Sequence, residues 1–375
     1  MKIAILTFHR AYNCGAMLQA WALRTVLERM GHTVEFPILN HVGETKRWRI
    51  DFVDSNKRGF SLIRSFIGRS IVNIMSFPSE DILILRYKRF RTRFLPEREC
   101  LASDLDKYYD LVIVGSDQVW REDISNSEFP VFLGENLPEG IRKIAYSASY
   151  GDKPLDDKSL KRVMRAIERF SYVSVRENLA KNQLSAVVSK PIEVVADPTL
   201  LLNSNDYSAL GEKVKVPKEP YLFMYTLDTP KFYVDTAREM ARRLGVKCVI
   251  APCYQYSRYG APKGLTYSTS PDRLVALARG AKYVLAGSFH GTVMGVIFKK
   301  PFLSLREQVD EYESRPAALL NRIGCCNRLV NPTTPLDEME ALLRTGVDDE
   351  VYNKLAQFRT NSLAWLKEAV GSKMV

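Results

Sequence analysis

The sequence is short of the residues that build metal centres and disulfide frameworks. It has four histidines in 375 residues. Its six cysteines, Cys14, Cys100, Cys248, Cys253, Cys325 and Cys326, show neither C-x-x-C pairs nor a compact spacing. That argues against a zinc-type cluster and a disulfide-stapled scaffold, and it suits a reducing compartment. No metal and no organic cofactor is expected. Apolar runs of the roughly 18 residues needed to span a bilayer are also missing. The opening segment MKIAILTFHRAYN meets charge too early for a secretory signal, so the expected location is the cytoplasm. The glycine patterns of nucleotide sites are absent as well. The loop Thr7–Ala16 holds a single glycine rather than G-x-G-x-x-G, and it lacks the Gly-Lys-Ser/Thr of a P-loop. A nicotinamide enzyme and an ATPase are both disfavoured on that ground.

Basic charge is what the sequence has in excess. The net charge is +11 and the isoelectric point about 9.2, which admits nucleic acid, an anionic membrane surface or an anionic small substrate as partner. Much of the excess lies between Lys46 and Arg98, where Lys46, Arg47, Arg49, Lys57 and Arg58 alternate with Trp48, Phe52 and Phe60. Two readings fit this stretch: an amphipathic segment docking on a membrane surface, or a solvated helical face with its apolar residues turned inward. It accompanies no helix-turn-helix, zinc-finger or ribonucleoprotein pattern, so nucleic acid is not expected.

Hydrophobic periodicity organises the rest. KIAILTF, a loop, AMLQAWALRTVLERMG and HTVEFPIL read as strand, helix and strand, the βαβ unit of a parallel sheet. DLVIVGS, KIAYSAS, YVSVREN and IEVVADP are further buried-type strands that end in polar residues. VKVPKEPY reads as a linker, and YLFMYTL, VKCVIAP, KYVLAGS and PFLSL then alternate with helical patterns. The expected class is α/β, with an N-terminal Rossmann-like domain over 1–215 that carries a basic insertion at about 46–98. A second such domain is expected over 216–345, with a last helix, 346–375, folding back on the first. Ligands of such sheets bind outside the carboxyl ends of the strands.

Four strand ends carry residues suited to chemistry. Ser288-Phe289-His290-Gly291-Thr292 runs from a strand into a helix, where backbone N–H groups and the helix dipole favour an anion and an imidazole adds charge or a proton. The alternative is a histidine that only hydrogen-bonds the turn. Asn13-Cys14-Gly15 occupies the same place in the first domain, with Asn13 a ligand or a helix cap. Ser116-Asp117-Gln118 with Trp120 suits a sugar, hydroxyls on the polar groups and a ring face on the indole, or else is a helix cap with Trp120 in the core. Arg176 beside Glu177, and more weakly Arg315, offer bidentate recognition of a carboxylate or phosphate, or are solvated ion pairs.

In order along the chain, ILTFHRAYNCGAMLQAWAL, DLVIVGSDQVW, KIAYSASYG, VSVREN, VADPTLL, AGSFHGTVMGVIFKKP and SRPAALLNRIG resemble the polysaccharide pyruvyl transferase family. The resemblance implies two Rossmann-like domains facing across a cleft, similar to glycosyltransferases of the B type. It also implies phosphoenolpyruvate as donor substrate and a pyruvate ketal on a glycan as product. His290 and Arg176 would then hold the donor's phosphate and carboxylate, with Asn13, Gly15, Asp117 and Gln118 on the opposite wall. Catalysis is expected from His290, Asp117 and Arg176. Substrate binding is expected from Asn13, Cys14, Gly15, Ser116, Gln118, Trp120, Glu177, Ser288, Gly291, Thr292 and Arg315. Some relatives carry an arginine two residues before the histidine, where this chain has Ser288, so Arg315 or Arg176 is expected to neutralise the donor's second anionic group. The expected acceptor is a lipid-linked oligosaccharide at the inner face of the plasma membrane. A B-type nucleotide-sugar glycosyltransferase, with Asp117 or Glu177 as base, and a non-catalytic glycan or membrane-surface binding protein are the competing readings.

Overall fold

The computed structural model describes residues 1–39, 83–227, 230–253, 269–307 and 313–371. The strands Lys2–Leu6 (β1), Thr33–Leu39 (β2), Glu97–Cys100 (β3), Leu111–Val114 (β4), Arg142–Ala148 (β5), Tyr172–Val175 (β6) and Ile192–Val194 (β7) form one sheet in the order β3-β2-β1-β4-β5-β6-β7. Every pairing in it is parallel. Ile3, Ala4 and Ile5 on β1, and all of Leu111–Val114 on β4, are fully buried. Both faces of these strands are covered, which is why they read as unbroken apolar runs instead of alternating ones.

A second, five-stranded parallel sheet follows. It is built from Tyr221–Thr226 (β8), Lys247–Pro252 (β9), Tyr283–Gly287 (β10), Phe302–Leu305 (β11) and Leu329–Val330 (β12) in the order β12-β11-β10-β8-β9. Each sheet reverses its winding once, between β1 and β4 in the first and between β8 and β10 in the second. Those switch points put the loops after β1, β4, β8 and β10 outside the strand ends, where an α/β sheet opens a crevice.

Helix Cys14–Arg29 (α1) begins at the first switch point. Asn13 caps it by accepting from the backbone N–H groups of Gly15 at 2.9 Å and Ala16 at 3.1 Å. Gly31, at φ +88°, takes the left-handed turn that returns the chain to β2. Residues 83–94 (α2) are helical, with Leu83, Tyr87 and Phe90 buried. Up to position 82, the basic stretch expected to dock on a membrane lies outside the described residues.

In the second lobe, Phe289–Ile297 (α3) starts directly after β10, and Arg315–Arg322 (α4) follows β11. The last helix, Asp349–Gly371 (α5), lies against the first lobe. Arg142 donates to the carbonyls of Val370 at 3.0 Å and of Ala369. Arg359 donates to Leu200 O at 2.7 Å and Leu202 O at 3.1 Å. Trp365 packs its ring on Tyr146 and Tyr172. Guanidinium groups thus satisfy backbone carbonyls at both junctions. Among the described residues, no helix is long and apolar enough to cross a membrane.

Candidate active site

The crevices of the two sheets join in one cavity of about 470 Å³. Asn13, Asp117 and Gln118 line it from the first lobe, and Ser288, His290 and Arg315 line it from the second. Six of the residues expected at the substrate therefore converge, although they are spread over three hundred positions of sequence.

His290 is held by three features. Ser288 caps α3 by accepting from Gly291 N–H at 3.2 Å, which sets the first turn and leaves His290 within it. The imidazole then lies flat against α1: a Cβ placed on Gly15 would sit 1.9 Å from His290 Nδ1. Position 15 is glycine because the ring needs that space. Nε2 lies 3.7 Å from Asp197 Oδ2, an ion-pair distance that is too long for a hydrogen bond. Nε2 is buried and takes no hydrogen bond from the protein.

Asp197 is the hub behind this histidine. It is fully buried and accepts from Thr199 N–H at 3.0 Å, Thr199 Oγ1 at 2.6 Å, Arg176 Nη1 at 3.0 Å and Ser116 Oγ at 3.4 Å. Burial pushes its carboxyl up, but His290, Arg176 and Thr199 outweigh that and hold it well below the ordinary carboxylate range. The Ala-Asp-Pro at the end of β7 marked a strand terminus in the sequence, and nothing in its spacing tied it to His290.

Arg176 and Glu177, expected at the substrate, stand behind the cleft wall. The Arg176 guanidinium donates from Nε to Glu177 at 2.8 Å and from Nη1 to Asp197, and it faces Asp117 Oδ1 at 3.7 Å. It lies 4.9 Å from the centre of the Phe289 ring, which separates it from the main cavity. Both residues border a second cavity of about 20 Å³ instead. Burial raises the Glu177 carboxyl while Arg176 pulls it down. Removing one member of such a buried pair typically costs about 3–5 kcal/mol. The role this geometry gives Arg176 is to position Asp197 and, through it, His290.

Other expected contacts are structural in the same way. Trp120 is fully buried in the core of the first lobe, where its Nε1 donates to Phe132 O at 3.2 Å, so it presents no face to a sugar. The Cys14 thiol turns toward Tyr87 OH at 3.0 Å and donates to Thr269 O at 3.3 Å, and burial raises its pKa, so it is not a nucleophile. Ser116 Oγ donates to Ser147 O at 2.9 Å. Thr292 Oγ1 donates to Ser288 O at 3.1 Å and pairs with Ser304 Oγ at 2.9 Å. Gly291 is crowded by Ala286 and the Ser288 hydroxyl, each 3.1 Å from where a Cβ would be. Arg315 does line the cleft, held by Asp152 Oδ1, which takes its backbone N–H at 3.0 Å and its Nε at 3.1 Å.

Three further cleft residues with acidic, basic or imidazole side chains had no role assigned from the sequence: His9, Arg10 and Glu128. Glu97 Oε1 lies 3.4 Å from His9 Nε2, 3.7 Å from Arg10 Nε and 3.2 Å from Arg91 Nε. His-Arg directly after β1 was the available signal for the first two. Glu128, in Ser-Asn-Ser-Glu-Phe-Pro, offered none.

The family model described as polysaccharide pyruvyl transferase matches residues 13–308. The chain belongs to the polysaccharide pyruvyl transferase family. The matched span takes in Asn13, Asp117, Asp197 and His290, while Arg315 and α5 lie beyond it. No curated protein matches the chain. Among solved structures, a putative UDP-N-acetylglucosamine 2-epimerase from Listeria monocytogenes is similar with a TM-score of 0.50 at 12% identity, over 100% of this chain and 97% of that one. The UDP-GlcNAc 2-epimerase of Neisseria meningitidis, bound to UDP-GlcNAc, aligns over 99% of each chain at 12% identity with a TM-score of 0.49. Likeness at this identity speaks for the fold alone: two Rossmann-like domains across a cleft, as in B-type glycosyltransferases.

Proposed function

We propose that this enzyme moves the pyruvyl group of phosphoenolpyruvate onto two hydroxyls of one sugar in a bacterial-type surface polysaccharide precursor, leaving a pyruvate ketal. The observation that carries this reading is His290, a cleft imidazole fixed between Gly15 and Asp197 with Nε2 unbonded, in the first turn of α3. The helix N-terminus favours a dianionic phosphate, and the imidazole offers it a hydrogen bond or a proton. Arg315 would meet the donor carboxylate from the same lobe, in place of the arginine that Ser288 replaces.

The chemistry balances without an external proton. Phosphoenolpyruvate and two hydroxyls give a ketal with a methyl group and inorganic phosphate. Of the two hydroxyl protons, one ends on the methyl carbon and one on the phosphate. The site therefore has to shuttle two protons and stabilise the oxocarbenium ion between them. In this reading His290 serves the leaving phosphate, and Asp117, from the opposite lobe, orients or deprotonates an acceptor hydroxyl. The acceptor is a lipid-linked oligosaccharide met at the inner face of the plasma membrane, a reading supported by the basic stretch from Lys46.

Ligand-dependent thermal stability separates this reading from a nucleotide-sugar glycosyltransferase. Phosphoenolpyruvate at 100 times its Kd is expected to stabilise the protein by about 2.7 kcal/mol, with no comparable effect of UDP-sugars. Stabilisation by a nucleotide sugar alone would overturn it.

A further inference from the structure

The described residues that line the cleft include two carboxyls, Asp117 and Glu128. Asp117 already accepts the Gln118 N–H at 2.9 Å and faces Arg176. Glu128 takes no hydrogen bond and forms no ion pair among the described residues. It closes a short turn, Asn126–Glu128, and is followed by Phe129–Phe132. Phe129 and Phe132 are buried. The Phe132 ring meets Phe8 of the loop after β1 edge-on at 5.2 Å, and Arg162 stacks 4.8 Å from the centre of Phe129. The position of Glu128 is thus set by the packing of the two phenylalanines that follow it, and its own carboxyl contributes no polar bond to the fold. Ile124, Val131 and Phe132 also line the cavity. Glu128 is part-buried, and a carboxyl withdrawn from water with no bonded partner loses some of the stabilisation of its ionised form; such groups gather where chemistry uses the neutral form.

We propose that Glu128 is the acid that protonates the methylene carbon of phosphoenolpyruvate, a catalytic role that rests on the pyruvyl-transfer reading above. The electron pair of the donor's C2=C3 bond takes the carboxyl proton, so that the methylene becomes a methyl group and C2 an oxocarbenium ion. An acceptor hydroxyl oxygen then bonds to C2, and its proton passes to the Glu128 carboxylate, which restores the acid. The C2–O bond to phosphate breaks with its electron pair on the phosphate. The second hydroxyl closes the ketal and gives its proton to that phosphate, through His290. Glu128 and His290 thereby divide the two protons between the lobes.

The protonation state fits this use. Burial pushes the Glu128 carboxyl up to about 7, against the pull of Arg10 from the loop after β1, the charge that acts on it. His9, Tyr12, Asp117, Tyr225, His290 and Arg315 are the other charged or titratable groups among the described residues on the cavity wall. Because the acid form is the reactive one, turnover is full below that pH and is lost as pH rises through it, tenfold per unit.

The test compares wild type with Glu128→Gln and Glu128→Asp, using phosphoenolpyruvate and an acceptor that wild type converts. Glu128→Gln is isosteric and should keep its thermal midpoint and its KM for phosphoenolpyruvate. Its kcat should fall by about 100-fold or more, the usual range for a lost general acid, and the alkaline fall near pH 7 should disappear. Glu128→Asp should retain a reduced kcat that still falls on the alkaline side. Wild-type rates and an unchanged pH profile in Glu128→Gln overturn the proposal while pyruvyl transfer stands. If wild type itself makes no ketal, the functional reading falls, and this role falls with it.

Discussion

Glutamine at position 290 is expected to lower pyruvyl transfer by about 10²–10⁴-fold, the range for loss of a positioned acid–base group. Glutamine keeps much of the side chain's volume and a hydrogen-bonding tip, but it cannot carry a proton or a positive charge. The folded state should tolerate it. Ser288 still caps α3, and Asp197 keeps Arg176 and Thr199 as partners after losing the imidazole. A thermal midpoint within about 1–2 °C of wild type, roughly 1 kcal/mol for a chain of this size, would place the loss in the chemistry. Turnover near that of wild type would remove His290 from the reaction.

Gly15→Ala is expected to cost about 100-fold in kcat, although it touches no substrate. Intrinsic propensity argues the other way, since alanine in place of glycine at the start of α1 favours a helix by up to about 1 kcal/mol. The added methyl, however, would lie 1.9 Å from Nδ1 and 2.4 Å from Cγ of His290, far inside contact distance, so the ring has to move. A displacement on the order of 1 Å at a reacting group is enough for a loss of that size. Stability and activity should therefore part company in this variant, with an overpacking cost of about 1–3 kcal/mol partly offset by helix propensity and turnover collapsed. Equal kcat in Gly15→Ala and wild type would mean that the lobes do not meet through this histidine in the working enzyme.

How far the sequence disclosed all this depends on the kind of information each residue carries. Buried parallel strands announce themselves as apolar runs, and their polar ends marked Asn13, Asp117, Gln118 and His290 because a strand terminus is a local feature. Trp120 shows the limit. An aromatic three residues after a strand-end aspartate fits a sugar platform or a core anchor equally well, and only the Phe132 carbonyl that takes its N–H and the Phe170 ring packed on it decide for the core. Arg176 was legible as a functional arginine but not as one screened from the cleft by Phe289, a residue more than a hundred positions away. The ring space at Gly15 has the same origin: the glycine is visible in the sequence, and the ring that demands it belongs to the other lobe. Glu128 stood in an unremarkable loop, and its importance arises from a neighbourhood that supplies no partner.

The most direct test of the pyruvyl-transfer account is product analysis. The protein is incubated with phosphoenolpyruvate and a panel of free and lipid-linked glycosides, and the glycosides are weighed by mass spectrometry while phosphate is assayed. The account predicts one acceptor class gaining the mass of pyruvate less water, with one inorganic phosphate released for each ketal formed. An unchanged glycoside pool with phosphoenolpyruvate, together with glycosyl transfer from a nucleotide sugar, would contradict it.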